Sequence, residues 1–164
     1  NQKKWNGWIA YTLSRAERTI PEINNGKTYL APYDKTHDLS LVFNYELSDK
    51  FSVSSNWVYA TGNAVTFPTG RYVYNGKILP IYSDRNSYRM PDYHRLDIGI
   101  TYTPKPNSSK RWHSEWNFSV YNVYNRHNAW TINFYQEDYN SNQLYAEMTY
   151  LFPVLPAITY NFKF

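Results

Sequence analysis

The sequence predicts an all-β fold, and more specifically a segment of a transmembrane antiparallel β-barrel. Three observations support this prediction: six runs alternate between apolar and polar residues, several runs are as long as a membrane-spanning strand, and the connections alternate between short and long. A spanning strand needs about 9–11 residues, whereas strands of soluble proteins average about 5–6. The run lengths therefore favour strands that cross a membrane.

The clearest alternating run covers residues 94–102. Its apolar and polar faces consist respectively of Leu96, Ile98, Ile100 and Tyr102, and of Arg95, Asp97, Gly99 and Thr101. The other runs cover residues 7–14, 37–48, 51–61, 113–124 and 157–164. In a spanning barrel the apolar face contacts lipid and the polar face lines the lumen.

The connections between these runs follow the rule for outer-membrane barrels, in which short periplasmic turns alternate with longer outer loops. The three residues 48–50 and the link 103–112 then lie on the periplasmic side, and the longer links 15–36, 63–93 and 136–145 lie outside. Within 63–93, the segments 71–74 and 77–82 flank Asn75-Gly76, which predicts a hairpin with a type I′ turn. Its arms are too short to span a membrane, so we expect it above the bilayer.

The composition is rich in aromatic residues, which make up 20% of the chain and include 18 Tyr and 6 Trp. Amphipathic rings of this kind suit the membrane–water interface and form girdles around spanning barrels. A secreted aromatic-rich β-sandwich that binds a ligand is the alternative. The Lys and Arg residues are scattered at a net charge of +4, so the sequence predicts no nucleic-acid partner. The absence of cysteine is compatible with export but does not establish it.

Six spanning strands are too few to close a barrel, because the smallest spanning barrels have about 8 strands. An open sheet edge in lipid would leave N–H and C=O groups without partners. The first residues also lack a secretory signal peptide. We therefore expect the chain to be a fragment of a larger barrel, with a small complete barrel as the alternative.

The C-terminal run predicts an assembly signal for the barrel assembly machinery. Its apolar face consists of Ile158, Tyr160, Phe162 and Phe164, so that an aromatic residue ends the chain. Such a terminal strand can be recognised by strand pairing. The alternative is an ordinary amphipathic strand.

Four segments together resemble the TonB-dependent outer-membrane receptors of Bacteroidetes. They are residues 7–14 (GWIAYTLS), 89–97 (RMPDYHRLD), 118–126 (FSVYNVYNR) and 155–164 (LPAITYNFKF). The resemblance implies a barrel of about 22 strands around an N-terminal plug, of which this chain would supply roughly the last six strands and no plug. It also implies a location in the cell outer membrane and active uptake of a scarce nutrient, coupled to TonB through an N-terminal part that this chain lacks.

Three groups of charged residues and the histidines are candidate sites. We expect the lumen-facing Glu46, Arg95 and Asp97 to pair across strands or with the plug, because unpaired buried charges are costly. Basic residues on the outer side could contact lipopolysaccharide phosphates, namely Arg71, Lys77, Arg85 and Arg89. Glu137 and Asp138 are expected in a solvated loop. His37, His94, His113 and His127 lack the spacing of a metal site, so a hydrogen-bonding role is expected for them.

No catalytic motif stands out in the sequence. It contains no nucleophile elbow, no metal triad and no glycine-rich phosphate loop. The sequence therefore predicts neither an enzyme nor a cofactor.

Overall fold

The computed structural model describes residues 4–104, 113–135 and 145–163, and it is built almost entirely of strands. In chain order these are β1 (Trp5–Leu13), β2 (Glu17–Arg18), β3 (Tyr29–Leu30), β4 (His37–Ser48), β5 (Phe51–Ala60), β6 (Ala64–Val65), β7 (Pro68–Tyr74), β8 (Lys77–Tyr82), β9 (Tyr88–Arg89), β10 (Tyr93–Tyr102), β11 (His113–Tyr121), β12 (Ala129–Tyr135), β13 (Tyr145–Tyr150) and β14 (Leu155–Lys163). One 3₁₀ turn, Asn24–Gly26, lies between β2 and β3. Among these residues no helix has both the length and the apolarity to cross a membrane.

Six strands form the main sheet, in the order β1-β4-β5-β10-β11-β14, and every neighbouring pair is antiparallel. These are the six strands that the alternating runs predict, and their spatial order follows the chain order. In the described part of the chain, β1 and β14 are the two edges, and the sheet does not close into a barrel. The prediction of an all-β fold of antiparallel strands is confirmed.

The register separates the side chains of the main sheet into two faces. One face, which we call the aromatic face, carries among others Tyr11, Phe43, Trp57, Ile98, Phe118 and Tyr160. The opposite face, which we call the polar face, carries among others Asn44, Ser54, Asn56, Asp97, Asn117 and Asn161. Because side chains alternate along a strand, a shift of one residue in any pairing would mix the two sets.

The connections leave the main sheet at two distinct ends. Residues 14–36, 61–92 and 122–154 all connect strands at one end, which we call the loop end. At the opposite end, the turn end, the Ser48 hydroxyl accepts hydrogen bonds from the backbone N–H groups of Lys50 and Phe51 at 3.3 and 3.2 Å. The long connections therefore share one end of the sheet, in agreement with the sequence analysis.

Two hairpins project from the loop end. β7 and β8 pair around Asn75 and Gly76, whose φ angles of 49° and 73° fit the predicted type I′ turn. The hairpin of β12 and β13 has no counterpart in the sequence analysis. Trp130, Ile132 and Phe134 alternate along β12, but the partner strand β13 shows no clear alternation, and both arms are shorter than a spanning strand.

Buried residues are few, and they cluster at the loop end. Among the described residues the buried hydrophobic side chains are Tyr29, Ala31, Ala60 and Ala64, and the buried polar ones are Asp34, Asn86 and Asn122. They belong to the long connections, except for Ala60 at the loop end of β5. Within the described ranges, neither face of the main sheet therefore covers a hydrophobic core of the kind that a soluble sandwich builds between two sheets.

Candidate functional site

The polar face carries a charged cluster on β10, near the loop end. The Arg95 guanidinium pairs with the Asp97 carboxylate at 2.9 Å and donates to the hydroxyls of Tyr93 and Tyr121 at 2.8 and 2.6 Å. It also lies 4.0 Å from the centre of the Tyr121 ring, within the range of a cation–π contact. The second oxygen of Asp97 accepts the backbone N–H of Asn122 at 2.9 Å. The cluster thus fixes two tyrosine rings at the end of the polar face.

The predicted trio Glu46, Arg95 and Asp97 shares one face but not one site. Arg95 and Asp97 meet because residues two apart on a strand point the same way. They pair with each other along β10, and Arg95 also donates to the Tyr121 hydroxyl on the neighbouring strand β11. Glu46 lies opposite Ser52 near the turn end, while Asp97 lies opposite Asn56. These two partners are four positions apart on β5, so Glu46 is not close to Asp97 along the strands.

A second charged cluster joins the first two long connections, and we call it the loop clamp. Arg89 donates through one nitrogen to the Asp34 carboxylate and to the Thr36 hydroxyl, and through the other to the Gly62 carbonyl. The Asp34 carboxylate also accepts the backbone N–H of Ala16 at 2.6 Å. Its side chain is fully buried, and that of Arg89 is 28% exposed. The loop clamp therefore holds residues 55 positions apart in the sequence.

The electrostatics of the loop clamp favour an ionised Asp34. Burial by itself raises the pKa of this carboxyl, but the hydrogen bonds from Ala16 and Arg89 and the charge of Arg89 outweigh burial. The pKa of Asp34 is therefore held below its ordinary value. The sequence offers no signal for this pairing, because Asp34 lies in an irregular segment and Arg89 lies in β9, a strand too short to show alternation.

Gly62 allows the second connection to fold closely onto itself beside the loop clamp. A Cβ atom at this position would lie 1.8 Å from the Met90 carbonyl oxygen, which is backbone and cannot swing away. The Gly62 N–H donates to the Asp92 carboxylate at 3.0 Å, and the Tyr59 hydroxyl donates to the same carboxylate at 2.7 Å. The bonds from Tyr59 and Gly62 lower the pKa of Asp92.

The four basic residues predicted for lipopolysaccharide contact do not converge in the structure. Arg71 and Lys77 lie on the β7–β8 hairpin, opposite Pro80 and Tyr74. The backbone N–H of Arg85 donates to Asn24 at 2.7 Å, and the guanidinium of Arg89 is held inside the loop clamp. Contact with lipopolysaccharide stays a prediction for these residues.

Two histidines occupy matching places on the aromatic face at the loop end. His37 begins β4 and bonds the Tyr11 hydroxyl through Nδ1 at 2.8 Å, and His94 bonds the Tyr124 hydroxyl in the same way at 2.8 Å. These contacts agree with the hydrogen-bonding role expected for both. Within the described ranges, no group of three His, Cys, Asp or Glu side chains is arranged to hold a metal ion. Glu137, Asp138 and Phe164 lie outside the described residues.

A cavity of about 430 Å³ lies where the polar face meets the loop end. Tyr93 and Tyr121, held by Arg95, line it together with Trp130, Asn63 and Asn128. Aromatic rings and side-chain amides can position a ligand by stacking and hydrogen bonding. The sequence analysis missed all five residues, because only the folding of two connections against β10 and β11 brings them together.

Comparison with known proteins gave no match. The chain matches no protein-family model, no curated protein and no solved structure. The structure shows an all-β protein with antiparallel sheets. Because no comparison gave a match, the resemblance to TonB-dependent receptors remains a prediction from the sequence.

Proposed function

We propose that the chain is part of an outer-membrane transport protein, namely a barrel segment of a TonB-dependent receptor for active uptake of a scarce nutrient. One observation carries the proposal. The six-stranded sheet has an aromatic face that nothing in the described part of the chain covers, and its opposite face is polar. This arrangement is the inverse of a soluble sheet, whose apolar face packs on a core.

The exposure of the aromatic face extends across the whole sheet. Ile9 on β1 is 75% exposed, Phe118 on β11 is 45% exposed and Ile158 on β14 is 68% exposed. Burying one such side chain contributes roughly 1.5–3 kcal/mol. Continuous apolar surfaces beyond a few hundred Å² on a soluble monomer mark a contact with a membrane or with another protein. Lipid is a partner that would cover all six strands at once.

The aromatic face carries amphipathic aromatic residues at both of its ends, as expected for a sheet that crosses a bilayer. At the turn end, Phe51 stacks on Tyr102 at 4.7 Å between ring centres, and Trp116 lies 4.6 Å from Tyr160. At the loop end lie the two tyrosine–histidine pairs, and the interval between the two ends is filled by aliphatic residues together with Phe43, Trp57 and Phe118. On β10 the interval from His94 to Tyr102 is eight residues, or about 27 Å along the strand. A strand tilt of about 40° reduces this to roughly 21 Å, close to the apolar band of about 25 Å in known barrels.

The polar face would then line the lumen, with Arg95 and Asp97 neutralising each other there. The open edges of β1 and β14 need further strands, because unpaired backbone groups are not tolerated in lipid. We assign these strands to the remainder of the barrel, which would enclose the plug and couple to TonB through the N-terminal part. Outer-membrane lipid and lipopolysaccharide are the proposed surroundings of the aromatic face, and the cell outer membrane is the proposed location.

The competing hypothesis of a secreted β-sandwich predicts aromatic faces that point inward. The exposed aromatic face disfavours it. A small complete barrel is disfavoured by the two open edges of the main sheet in the described part of the chain.

Localisation and energy coupling test the proposal. We expect the full-length protein to be found in the outer-membrane fraction and to show a folded band on unheated gels that shifts on boiling. Uptake of its ligand should stop when TonB is deleted or the proton gradient is collapsed. A monodisperse, folded, detergent-free monomer of residues 1–164 would contradict the membrane assignment, and uptake independent of TonB would contradict the receptor assignment alone.

The proposed assembly signal gives a separate prediction. Phe162 lies on the aromatic face opposite Ser114. In the sequence, Phe164 follows it at the same two-residue spacing. Deleting Phe164 should lower the amount of assembled protein several-fold, because the assembly machinery would lose the aromatic end of the strand that it pairs with. Quantitative immunoblotting of folded outer-membrane protein measures this. Lys163→Gln, on the polar face, is the matched control, and equal assembly of wild type and the deletion would remove the role from Phe164.

A further inference from the structure

A second, shallow and open cavity, of about 540 Å³, lies at the loop end of the aromatic face. It is lined by His94, Tyr124, Arg126, His127 and Met148, together with Pro91 and Asn125. His94 belongs to the aromatic face, since it lies opposite Tyr59 in the register. The cavity therefore sits at the boundary between the apolar surface of the sheet and the connections above it.

Arg126 supplies a guanidinium to this cavity, and one nitrogen of that guanidinium lacks an acceptor among the described residues. The Arg126 guanidinium donates to the Asp92 backbone carbonyl at 2.9 Å, whereas its Nε is buried and has no hydrogen-bond partner among the described residues. Arg126 also takes part in none of the ion pairs found in the described ranges. The nearby Asp92 carboxylate is already bonded by Tyr59 and Gly62. In the described part of the chain the guanidinium therefore has no carboxylate hydrogen-bonded to it.

The two imidazoles of the cavity are held in place by neighbouring rings. His94 bonds the Tyr124 hydroxyl through Nδ1, which leaves its other ring nitrogen for a ligand. The His127 ring stacks on Tyr150 at 3.9 Å between centres with an angle of 6° between the planes. A guanidinium flanked by two fixed imidazoles suits an oxyanion, and a guanidinium can bind a phosphate through two parallel hydrogen bonds.

We infer that this cavity binds a phosphate of lipopolysaccharide, with the lipid chains running down the aromatic face. The inference rests on the proposed function, because it needs the aromatic face to lie in the outer membrane. In that orientation the cavity lies at the level of the outer headgroups, and Met148 offers an apolar contact beside the charged groups. The site differs from the one expected from the sequence, since Arg71, Lys77, Arg85 and Arg89 do not line it.

Lipid retention by the full-length protein tests the site. The protein is reconstituted in nanodiscs of phosphatidylcholine that contain either lipid A with both phosphates or lipid A stripped of phosphate, and bound lipid is counted by native mass spectrometry after extraction. We expect retention of the phosphorylated form only. Arg126→Gln should weaken it about tenfold, the effect of losing one charge-assisted hydrogen bond. Arg126→Lys should retain part of the binding, and Lys50→Gln, an equal change of charge at an exposed position of the turn end, should have no effect.

The outcomes separate this inference from the proposed function. His127→Gln serves as a second variant if Arg126→Gln does not give the heat-shifted folded band. Equal retention of both lipids, or unchanged retention in folded Arg126→Gln and His127→Gln, would overturn the site while leaving the membrane assignment intact. If inorganic phosphate bound as tightly as the phosphorylated lipid, the inference that the bound phosphate belongs to a lipid would be overturned. Failure of the wild-type protein to insert would instead count against the proposed function.

Discussion

Ile98→Arg is expected to destabilise the protein in the membrane by about 2–4 kcal/mol. This is the cost of placing a cation on the lipid face of a barrel near the bilayer midplane. Ile98 lies on β10 in the middle of the aromatic face, between Ser55 and Val120 on the neighbouring strands. Urea unfolding in lipid vesicles, followed by the loss of the folded gel band, measures the change. We expect the midpoint of unfolding to fall and the yield of assembled protein to fall with it.

Asn56→Arg is the matched control for Ile98→Arg. Asn56 lies on the polar face of the adjacent strand, opposite Asp97, so the new cation would face the proposed lumen beside a carboxylate. It should leave stability within about 1 kcal/mol of the wild type, as expected for a pair exposed to water. Equal effects of the two arginines would contradict the assignment of the faces, and a more soluble, folded Ile98→Arg protein would favour a water-exposed sheet.

Replacing Asp34 by Asn should destabilise the loop end by about 3–5 kcal/mol, because one partner of a buried ion pair would be left uncompensated. Asp34 is fully buried, and the change removes the charge that faces Arg89 without removing much volume. The effect should be local, since the loop clamp joins the connections and not the strands of the main sheet. Hydrogen exchange at the Ala16 amide and proteolysis within residues 14–36 and 61–92 measure it.

Two controls for Asp34→Asn distinguish the loss of a surface charge from the loss of one partner of the buried ion pair. Asp84→Asn removes the same charge from an exposed position of the second connection and should be neutral. The double change Asp34→Leu with Arg89→Met should recover much of the loss, since replacing both members of a buried pair by apolar residues can be neutral. If Asp34→Asn alone showed the same hydrogen exchange and the same proteolysis as the wild type, the loop clamp would not be what holds the connections.

The pH dependence of loop-end stability follows from the same carboxyl. The pKa of Asp34 is lower in the folded chain than its ordinary value of about 3.9. Its ionised form therefore stabilises the folded state above that ordinary value, and this contribution is lost as the pH falls through the folded pKa. Asp34→Asn should reduce this part of the acid sensitivity, as measured by proteolysis at decreasing pH.

The strands of the main sheet were predictable because their signal is local. Alternation over 94–102 or 37–48 can be read from neighbouring residues, and the Asn75-Gly76 turn is specified by two residues that accept positive φ. The β12–β13 hairpin was missed because only one of its arms alternates. The pairing of β12 with β13 therefore could not be predicted from local alternation.

The candidate sites were predictable only in part. Arg95 and Asp97 could be placed together from their spacing on one strand, whereas Glu46 could not be placed relative to them without the register. The loop clamp, the tyrosine-lined cavity and the environment of Arg126 each join segments far apart in the chain. No periodicity links such residues, because the contacts are set by the path of irregular connections.

The sequence by itself determined the two faces of the sheet, since alternation at a period of two settles which side chains lie together once strands form. It also determined that the long connections share one end. Only the tertiary structure decided that the aromatic face stays uncovered in the described chain and that the scarce burial lies at the loop end. The physical reason is that alternation specifies which residues share a face of the sheet. The register and the packing of the connections decide whether other parts of the chain cover that face.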